Sequence, residues 1–257
     1  MDVSKKKIII ADLDGTLAET KQELSEEMGR VIGDLLRHID FAVISGASFK
    51  QIEGQFAKRV RVEERFMSRL YLLPTSGASM YRFDGGRWIE LYAERLREDE
   101  KAKIIASINS ILKEPIYKKP DKIYGKLIED RDTEIAISAL GQDAPADLKK
   151  AWDPDMRKRF VMKAELDKLI PEYEVMIGGS TSLDITRKGM NKGYGIRRIT
   201  ETLGYNIDEM LFFGDKIVEG GNDYPVKLEG VECINVDSVD HTIELFRGIK
   251  ARLEGGA

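Results

Sequence analysis

Residues 8–17 read Ile-Ile-Ile-Ala-Asp-Leu-Asp-Gly-Thr-Leu, an apolar run that ends in two carboxylates one residue apart. A short, continuous apolar run is typical of a strand buried on both faces of a parallel sheet. Such sheets bind ligands just beyond the carboxyl ends of their strands, which is where Asp12 and Asp14 are expected to lie. The stretch therefore predicts a ligand site at this strand end, and the alternative is an ordinary Asp-Gly turn.

A second apolar run, residues 210–213, delivers another acid in the same way. It ends in Gly214-Asp215, and the glycine-rich segment 220–223 brings further polar side chains, Asn222 and Asp223. Carboxylates that converge from two strands repel each other, so a divalent cation is expected to compensate them. The alternative for Asp223 is a helix N-cap.

Mg²⁺ is the cation that this set of ligands favours. It is a hard ion that takes one or two protein carboxylates together with waters and phosphate oxygens. We expect Asp12, Asp215 and the backbone carbonyl of Asp14 to bind the metal. Asn222 and Asp223 are expected to hold its outer shell.

Two more segments complete the predicted site. Residues 41–44 lead into Ser45-Gly46-Ala47-Ser48, where a hydroxyl and backbone amides at a helix start predict a phosphate site, with Ser48 as the N-cap. Lys192 opens a helical stretch over residues 193–203. There it would neutralise a carboxylate–phosphate pair, although taken alone it is most simply a solvated lysine.

The order Asp-x-Asp-Gly-Thr, Ser, Lys and Gly-Asp-x(6)-Asn-Asp resembles the motifs of the haloacid dehalogenase-like (HAD) phosphotransferase superfamily. The match is to the branch whose cap domain is inserted between the second and third motifs. Within it, residues 178–184, 212–216 and 220–223 are most similar to the phosphomannomutase family. The resemblance implies an α/β fold, with a doubly wound, Rossmann-like parallel-sheet core and an inserted α+β cap domain.

The pattern of the chain agrees with an insertion. Strands alternate with helical patterns up to about residue 80, and residues 81–92 then alternate around Asp84-Gly85-Gly86, which predicts a hairpin. Further helices are expected at 98–112 and 155–170, and further strands at 125–128, 133–139, 173–177 and 182–186. We place the core at residues 1–85 and 188–257 and the inserted domain at 86–187.

The resemblance also implies a mechanism. Asp12 attacks phosphorus and becomes an aspartyl-phosphate, while Asp14 acts as general acid and base. Lys192 and Ser45 neutralise the phosphate oxygens. The expected function is Mg²⁺-dependent phosphoryl transfer on a small phosphorylated sugar.

Substrate-binding residues carried over from the family are Lys21, Arg131, Gln142, Lys149, Ser182 and Asp184. The family has arginine at three of these positions, where this chain has Lys21, Gln142 and Lys149. Arginine binds phosphate bidentately, so we expect weak binding of a second phosphate. A sugar-phosphate phosphatase is therefore the first hypothesis. The alternative is phosphomannomutase-type transfer between mannose 1- and 6-phosphate, and a remote alternative is a non-catalytic binding module.

Bulk composition excludes several other classes. A net charge of −4 argues against nucleic-acid binding, and two histidines argue against a multi-histidine zinc site. No apolar stretch is long enough for a membrane span, so we expect no membrane association. The single cysteine, Cys233, fits a reducing compartment, and we expect a cytoplasmic protein. Oligomeric state stays open, although the resemblance implies homodimers that pair through the cap.

Overall fold

The structure is a computed structural model that describes residues 3–255. It divides into two compact units. Unit 1 contains the chain up to Ala93 and again from Met190 onward, and unit 2 is Glu94–Gly189. No helix within residues 3–255 is long and apolar enough to cross a bilayer.

The elements are numbered here in chain order. The strands are β1 (Ile8–Ala11), β2 (Asp40–Ile44), β3 (Leu70–Leu73), β4 (Ser79–Asp84), β5 (Arg87–Ala93), β6 (Ile128–Asp130), β7 (Ile135–Ser138), β8 (Tyr173–Ile177), β9 (Ser182–Arg187), β10 (Met210–Gly214) and β11 (Glu232–Asn235). The helices are α1 (Glu26–Leu36), α2 (Phe49–Gln55), α3 (Glu64–Met67), α4 (Glu98–Ile111), α5 (Ala146–Trp152), α6 (Arg157–Leu169), α7 (Lys192–Leu203), α8 (Tyr224–Leu228) and α9 (Val239–Gly255).

Unit 1 is built on one sheet, with strand order β11-β10-β1-β2-β3-β4-β5 among the described residues. β1 pairs in parallel with both β10 and β2, and all four of its residues are buried. The continuous apolar run at residues 8–11 thus forms a central strand, as strands covered on both faces do. The predicted α/β class, with a parallel core sheet, is confirmed.

The predicted hairpin forms, but it belongs to unit 1. β4 pairs antiparallel with β3 and β5 pairs antiparallel with β4, so the large sheet continues through both strands. Phe49 of α2 also contacts the rings of Tyr81 and Trp88 in this hairpin. The first boundary of the inserted domain therefore lies after Ala93, rather than at residue 86. An alternating pattern predicts a hairpin without specifying the sheet edge to which it pairs.

Unit 2 is an antiparallel sheet with strand order β6-β7-β9-β8 and helices α4 and α6 packed against one face. The core between them is apolar and includes Ile104, Ile108, Met162, Leu166, Ile135, Ile137, Leu183 and Ile185. Because side chains alternate along a strand, the residues between these positions point to the opposite face. Asp184 pairs there with Ala136 and Met176.

One strand of unit 2 differs from its predicted position. The sequence indicates a strand at residues 125–128, whereas β6 begins at Ile128. Gly125 has a φ of +74°, which a strand does not adopt. Tyr124 instead exchanges backbone hydrogen bonds with Leu140 and Asp143 in the loop after β7. Glycine's conformational freedom and this loop pairing delay the start of the strand by three residues.

Candidate active site

The carboxyl ends of neighbouring strands bring the predicted catalytic residues to one edge of the unit 1 sheet. Asp12 follows β1 directly, is only 3% exposed, and donates its backbone N–H to the Phe213 carbonyl of β10 at 3.0 Å. Ser45 follows β2 and Asp215 follows β10, the two strands that flank β1. Parallel pairing alone is therefore enough to gather these side chains.

The turn after Asp12 is shaped by Gly15. Gly15 has a φ of +86°, and a Cβ there would lie 2.7 Å from Asp215 Oδ2. Any larger residue would displace Asp215, so the glycine serves both the turn and the approach of the second acid. Asp14 points into the same turn, where its Oδ1 accepts a hydrogen bond from the Lys21 backbone N–H at 2.6 Å.

Lys192, the first residue of α7, is buried among carboxylates. Its side chain is 1% exposed, and Nζ lies 2.6 Å from Asp12 Oδ1 and 2.5 Å from Asp223 Oδ1. Burial works to lower the pKa of Lys192, but the charges of Asp12 and Asp223 outweigh it and hold that pKa above its usual value. The ammonium is thus a fixed positive charge beside the predicted nucleophile.

Asp12 responds to the same surroundings. Burial raises the pKa of the Asp12 carboxyl to about 6, against the attraction of Lys192, and the nearby Asp223 charge adds to the rise. Further positive charge nearby would favour the ionised form of this buried carboxyl group. A cation bound beside it would therefore stabilise the ionised, nucleophilic form.

The residues present fit a hard divalent cation. Oxygen atoms of Asp12, Asp215 and Asp223 all lie within 4.8 Å of one another. Asp215 Oδ1 is buried and has no hydrogen-bond partner among the described residues, while Oδ2 lies 2.9 Å from Lys216 Nζ. An unpaired buried carboxylate oxygen in an all-oxygen cluster matches the ligands that Mg²⁺ prefers. The Asp14 side chain lies outside this cluster and its Oδ1 accepts from the Lys21 backbone N–H, whereas the Asp14 atom predicted to bind the metal is the backbone carbonyl.

Asp223 has a structural role that differs from the cap alternative. It precedes α8, but its side chain makes no capping hydrogen bond. Its Oδ2 accepts from the Lys216 backbone N–H at 3.0 Å, while Oδ1 pairs with Lys192. Both oxygens are therefore engaged by protein groups, which suits a residue of the outer shell. Asn222, the preceding residue, is exposed.

The loop that contains Ser45 lies where the sequence predicts a phosphate site. Ser45 is 2% exposed, and its Oγ accepts from the Ala47 backbone N–H at 3.1 Å. Ser48 caps α2 through a capping box with Gln51, so the expected N-cap is confirmed. The seryl hydroxyl next to the Asp12 strand, rather than the cap, remains the group available to a phosphate.

In unit 2, Arg131 lies in the turn between β6 and β7 and is surrounded by acids. Its Nε donates to Glu129 Oε2 and its Nη1 to Glu134 Oε1, each at 2.7 Å, and Nη1 lies 3.6 Å from Asp184 Oδ1. Burial raises the pKa of Glu134 to about 8, with the Asp184 charge adding to the rise and Arg131 opposing it. Glu129 and Glu134 belong to no recognisable motif, so the sequence alone does not single them out.

Four of the five remaining predicted substrate residues form two groups in unit 2. Ser182 and Asp184 lie two residues apart on β9 and share one face of the strand. On this face Asp184 approaches Arg131. Lys149 of α5 donates from Nζ to the Gln142 carbonyl at 2.6 Å, which makes these two residues a second group. Lys21 belongs to unit 1, where its side chain is exposed.

Comparison with known proteins finds a matching family model and similar relatives. A family model described as eukaryotic phosphomannomutase matches residues 28–249. The chain is 28% identical to a phosphomannomutase of Encephalitozoon cuniculi over 247 residues, covering 93% of this chain and 91% of that protein. It is also 28% identical to a phosphomannomutase of Spinacia oleracea, covering 85% of each.

Solved structures agree on the fold. A haloacid dehalogenase-like hydrolase from Bacteroides thetaiotaomicron matches with a TM-score of 0.65 at 16% identity. The match covers 95% of this chain and 99% of that chain. Identity at this level supports the fold alone, and it agrees with the superfamily that the four motifs indicated.

Proposed function

The chain belongs to the eukaryotic phosphomannomutase family, and we propose that it moves a phosphoryl group between mannose 1-phosphate and mannose 6-phosphate. It is a HAD-superfamily enzyme of the phosphotransferase or phosphatase type. The comparisons support the mutase alternative better than the phosphatase, which was the first hypothesis from sequence. The single observation that carries the chemistry is the buried contact of Asp12 with Lys192, beside Asp215.

Asp12 is the proposed nucleophile. One of its carboxylate oxygens attacks phosphorus, the bond from phosphorus to the sugar oxygen breaks, and an acyl-phosphate forms on Asp12. The sugar oxygen takes a proton from Asp14 as it leaves. Lys192 supports this step because its ammonium is already fixed 2.6 Å from Asp12 Oδ1, with no reorganisation needed as charge shifts onto the phosphate oxygens.

The second half-reaction is the reverse on another hydroxyl. Asp14 removes the proton of a hydroxyl on a bound sugar monophosphate, whose oxygen then attacks the phosphorus on Asp12. The bond between phosphorus and the Asp12 oxygen breaks, which regenerates the carboxylate and yields a hexose bisphosphate. When that bisphosphate returns its other phosphoryl group to Asp12, the isomerised monophosphate is released.

Mg²⁺ is the proposed cofactor, and Asp12 and Asp215 are its proposed side-chain ligands. The Asp14 carbonyl is the third proposed ligand, and Asn222 and Asp223 form the outer shell. The unpaired Asp215 Oδ1 supports this assignment. When bound, such an ion supplies positive charge to the phosphate oxygens and to the Asp12 carboxylate.

Hydrolysis is a second candidate activity, and one observation favours it. The guanidinium of Arg131 is shared among three carboxylates, and Gln142 and Lys149 present no guanidinium at all. Binding of the sugar monophosphate through its own phosphate in unit 2 is therefore weakened, and a monophosphate that dissociates before it accepts the phosphoryl group leaves the aspartyl-phosphate open to water. The two candidates share every step up to the phosphoenzyme.

Unit 2 also supports a proposal about assembly. Its helix α6 and the residues before it expose large apolar side chains, among them Phe160 (54% exposed) and Val161 (47%). We propose that a second copy covers this surface in a homodimer, which size-exclusion chromatography with light scattering tests. A cytoplasmic location is proposed as well, supported by the free thiol of Cys233.

A product assay tests the proposed function. The full chain is incubated with Mg²⁺ and mannose 1-phosphate, with and without a hexose 1,6-bisphosphate, and both mannose 6-phosphate and free phosphate are measured. We expect mannose 6-phosphate to form and the bisphosphate to accelerate it. Free phosphate without mannose 6-phosphate would overturn the mutase in favour of hydrolysis, and formation of neither product would refute both.

A further inference from the structure

The acids around Arg131 limit what its guanidinium can still bind. Arginine recognises phosphate through two parallel N–H groups. Glu129 already accepts from Nε and Glu134 from Nη1, both at 2.7 Å. An incoming phosphate must displace one of these carboxylates or share a donor with it, in the presence of the further negative charge of Asp184. Like charges brought this close oppose binding.

The two carboxylates that bind Arg131 directly differ in their freedom to move. The Glu129 side chain is 43% exposed, so it can turn into water at little cost. The Glu134 side chain is 3% exposed, and the Glu134 carbonyl also accepts the Arg131 backbone N–H at 2.8 Å. Glu134 is thus fixed beside Arg131 through both its backbone and its side chain, and a ligand cannot displace it as easily.

We propose that Glu134 is a specificity-determining residue that restrains the Arg131 guanidinium and weakens the binding of a second phosphate on the sugar. Because Arg131 is taken as the contact for the phosphate remote from Asp12, this role rests on the proposed function. Glu134 itself touches no substrate and acts through Arg131. It lowers the affinity for hexose bisphosphates while leaving that for monophosphates nearly unchanged.

Calorimetry on the full chain tests this role directly. Glucose 1,6-bisphosphate and mannose 6-phosphate are titrated in the presence of Mg²⁺ into an Asp12→Asn background, so that neither ligand is consumed. The titrations are run at pH 9, above the Glu134 pKa of about 8, so that this carboxyl is ionised. Glu134→Gln then keeps the size and hydrogen-bonding capacity of the side chain and removes its charge. We expect the Kd for the bisphosphate to fall about ten-fold, and the Kd for the monophosphate to change less than about two-fold.

Glu129→Gln is the matched control, since it removes an equal charge at the same distance from Arg131. We expect it to change the bisphosphate Kd by less than about three-fold, because Glu129 can already move aside. An unchanged or higher bisphosphate Kd in Glu134→Gln, or an equal gain in both variants, would overturn the proposal. Glu134→Met, which suits a buried position, replaces Glu134→Gln if that variant does not fold.

A double-mutant cycle tests whether Glu134 acts through Arg131. In an Arg131→Gln background, the gain from Glu134→Gln should disappear. If the gain persists, Glu134 acts as a general negative charge and the positioning role is wrong.

A separate assay tests the proposed function independently of the role of Glu134. Hydrolysis of para-nitrophenyl phosphate by the chain with Asp12 intact reports phosphoryl transfer on a substrate with no second phosphate. No turnover, together with the ten-fold gain in bisphosphate affinity, would refute the proposed function but support the Arg131–Glu134 restraint. Normal turnover without that gain would refute the role of Glu134 alone.

Discussion

Each unit of the molecule holds a cation among carboxylates, but the two clusters differ in balance and in burial. In unit 1, Lys192 lies between Asp12 and Asp223, and all three side chains are almost completely buried. In unit 2, Arg131 faces three carboxylates, of which Glu134 alone is buried to a similar degree. The first cluster is closed to solvent, as suits bond making and breaking. The second is partly open and acidic, as suits control over which substrate binds.

The largest effect that follows from this contrast is expected at Asp12. Asp12→Asn removes the proposed nucleophile and should lower kcat by about 10⁴-fold or more, because the covalent step would be lost. Turnover of mannose 1-phosphate and of an aryl phosphate both measure it. Asp121→Asn, at an exposed position of unit 2, is the matched control and should retain full activity.

Near-normal turnover by a folded Asp12→Asn protein would show that the closed cluster is not the reacting centre. Circular dichroism of both variants establishes that they are folded.

Lys192 is expected to affect stability as well as rate. Lys192→Met leaves Asp12 and Asp223 buried without their cation, and breaking such a pair typically costs about 3–5 kcal/mol. Urea denaturation without added metal measures this loss in the free energy of unfolding. Lys216→Met is the control, since the Lys216 side chain is 57% exposed and its pair with Asp215 should contribute less than about 1 kcal/mol.

If the two lysine variants lost equal stability, burial would not distinguish the closed cluster from an ordinary surface pair, and the comparison between the units would fail.

Restoring arginines in unit 2 should change the products by a smaller factor. Gln142→Arg together with Lys149→Arg adds guanidinium groups at two adjoining positions, and each charged contact to phosphate is worth about 1.5–3 kcal/mol at most. We expect the ratio of mannose 6-phosphate to free phosphate to rise about ten-fold. Lys150→Arg, an exposed neighbour on α5, should leave the ratio unchanged, and an unchanged ratio in the double variant would contradict the expectation.

A structural ion pair of unit 2 should show the smallest effect. Arg187 donates two hydrogen bonds to Glu100, at 3.0 and 2.6 Å, and these bonds hold the pKa of Glu100 at about 2, below its ordinary 4.5. Since the folded pKa is the lower one, the stabilisation is complete above pH 4.5 and is lost as the pH falls toward 2.

Glu100→Gln should therefore lower the free energy of unfolding by about 1 kcal/mol at pH 7, and the difference from the unchanged protein should shrink at pH 3. Urea denaturation of both proteins at the two pH values measures it. A difference that stays constant between pH 7 and pH 3 would show that the Glu100 carboxylate contributes nothing through its charge.

Much of unit 1 could be predicted from sequence because its geometry follows from strand order. Acids placed directly after buried parallel strands must meet at one edge, which brings Asp12 and Asp215 together. The helix at 192–203 could likewise be expected from its pattern. That Lys192 lies between Asp12 and Asp223 could not be derived from spacing, because Lys192 and Asp223 are 31 residues apart.

The start of unit 2 and its acid cluster were less predictable for a physical reason. A hairpin pattern fixes the local pairing of β4 with β5, but the edge that the hairpin joins depends on tertiary packing of Tyr81 and Trp88. The positions of the acids around Arg131 also depend on tertiary structure. Glu129 and Glu134 read as ordinary polar residues of a strand and a turn, and only the fold shows that both reach one guanidinium.

Trapping the phosphoenzyme tests the proposed role of Asp12 most directly. The full chain with Mg²⁺ is mixed with a ³²P-labelled hexose bisphosphate, quenched in acid within milliseconds and digested. We expect an acid-stable, base-labile label on the peptide that contains Asp12, and no label in the Asp12→Asn protein. Turnover of the same substrate with no labelled peptide, or with the label on a different residue, would contradict it.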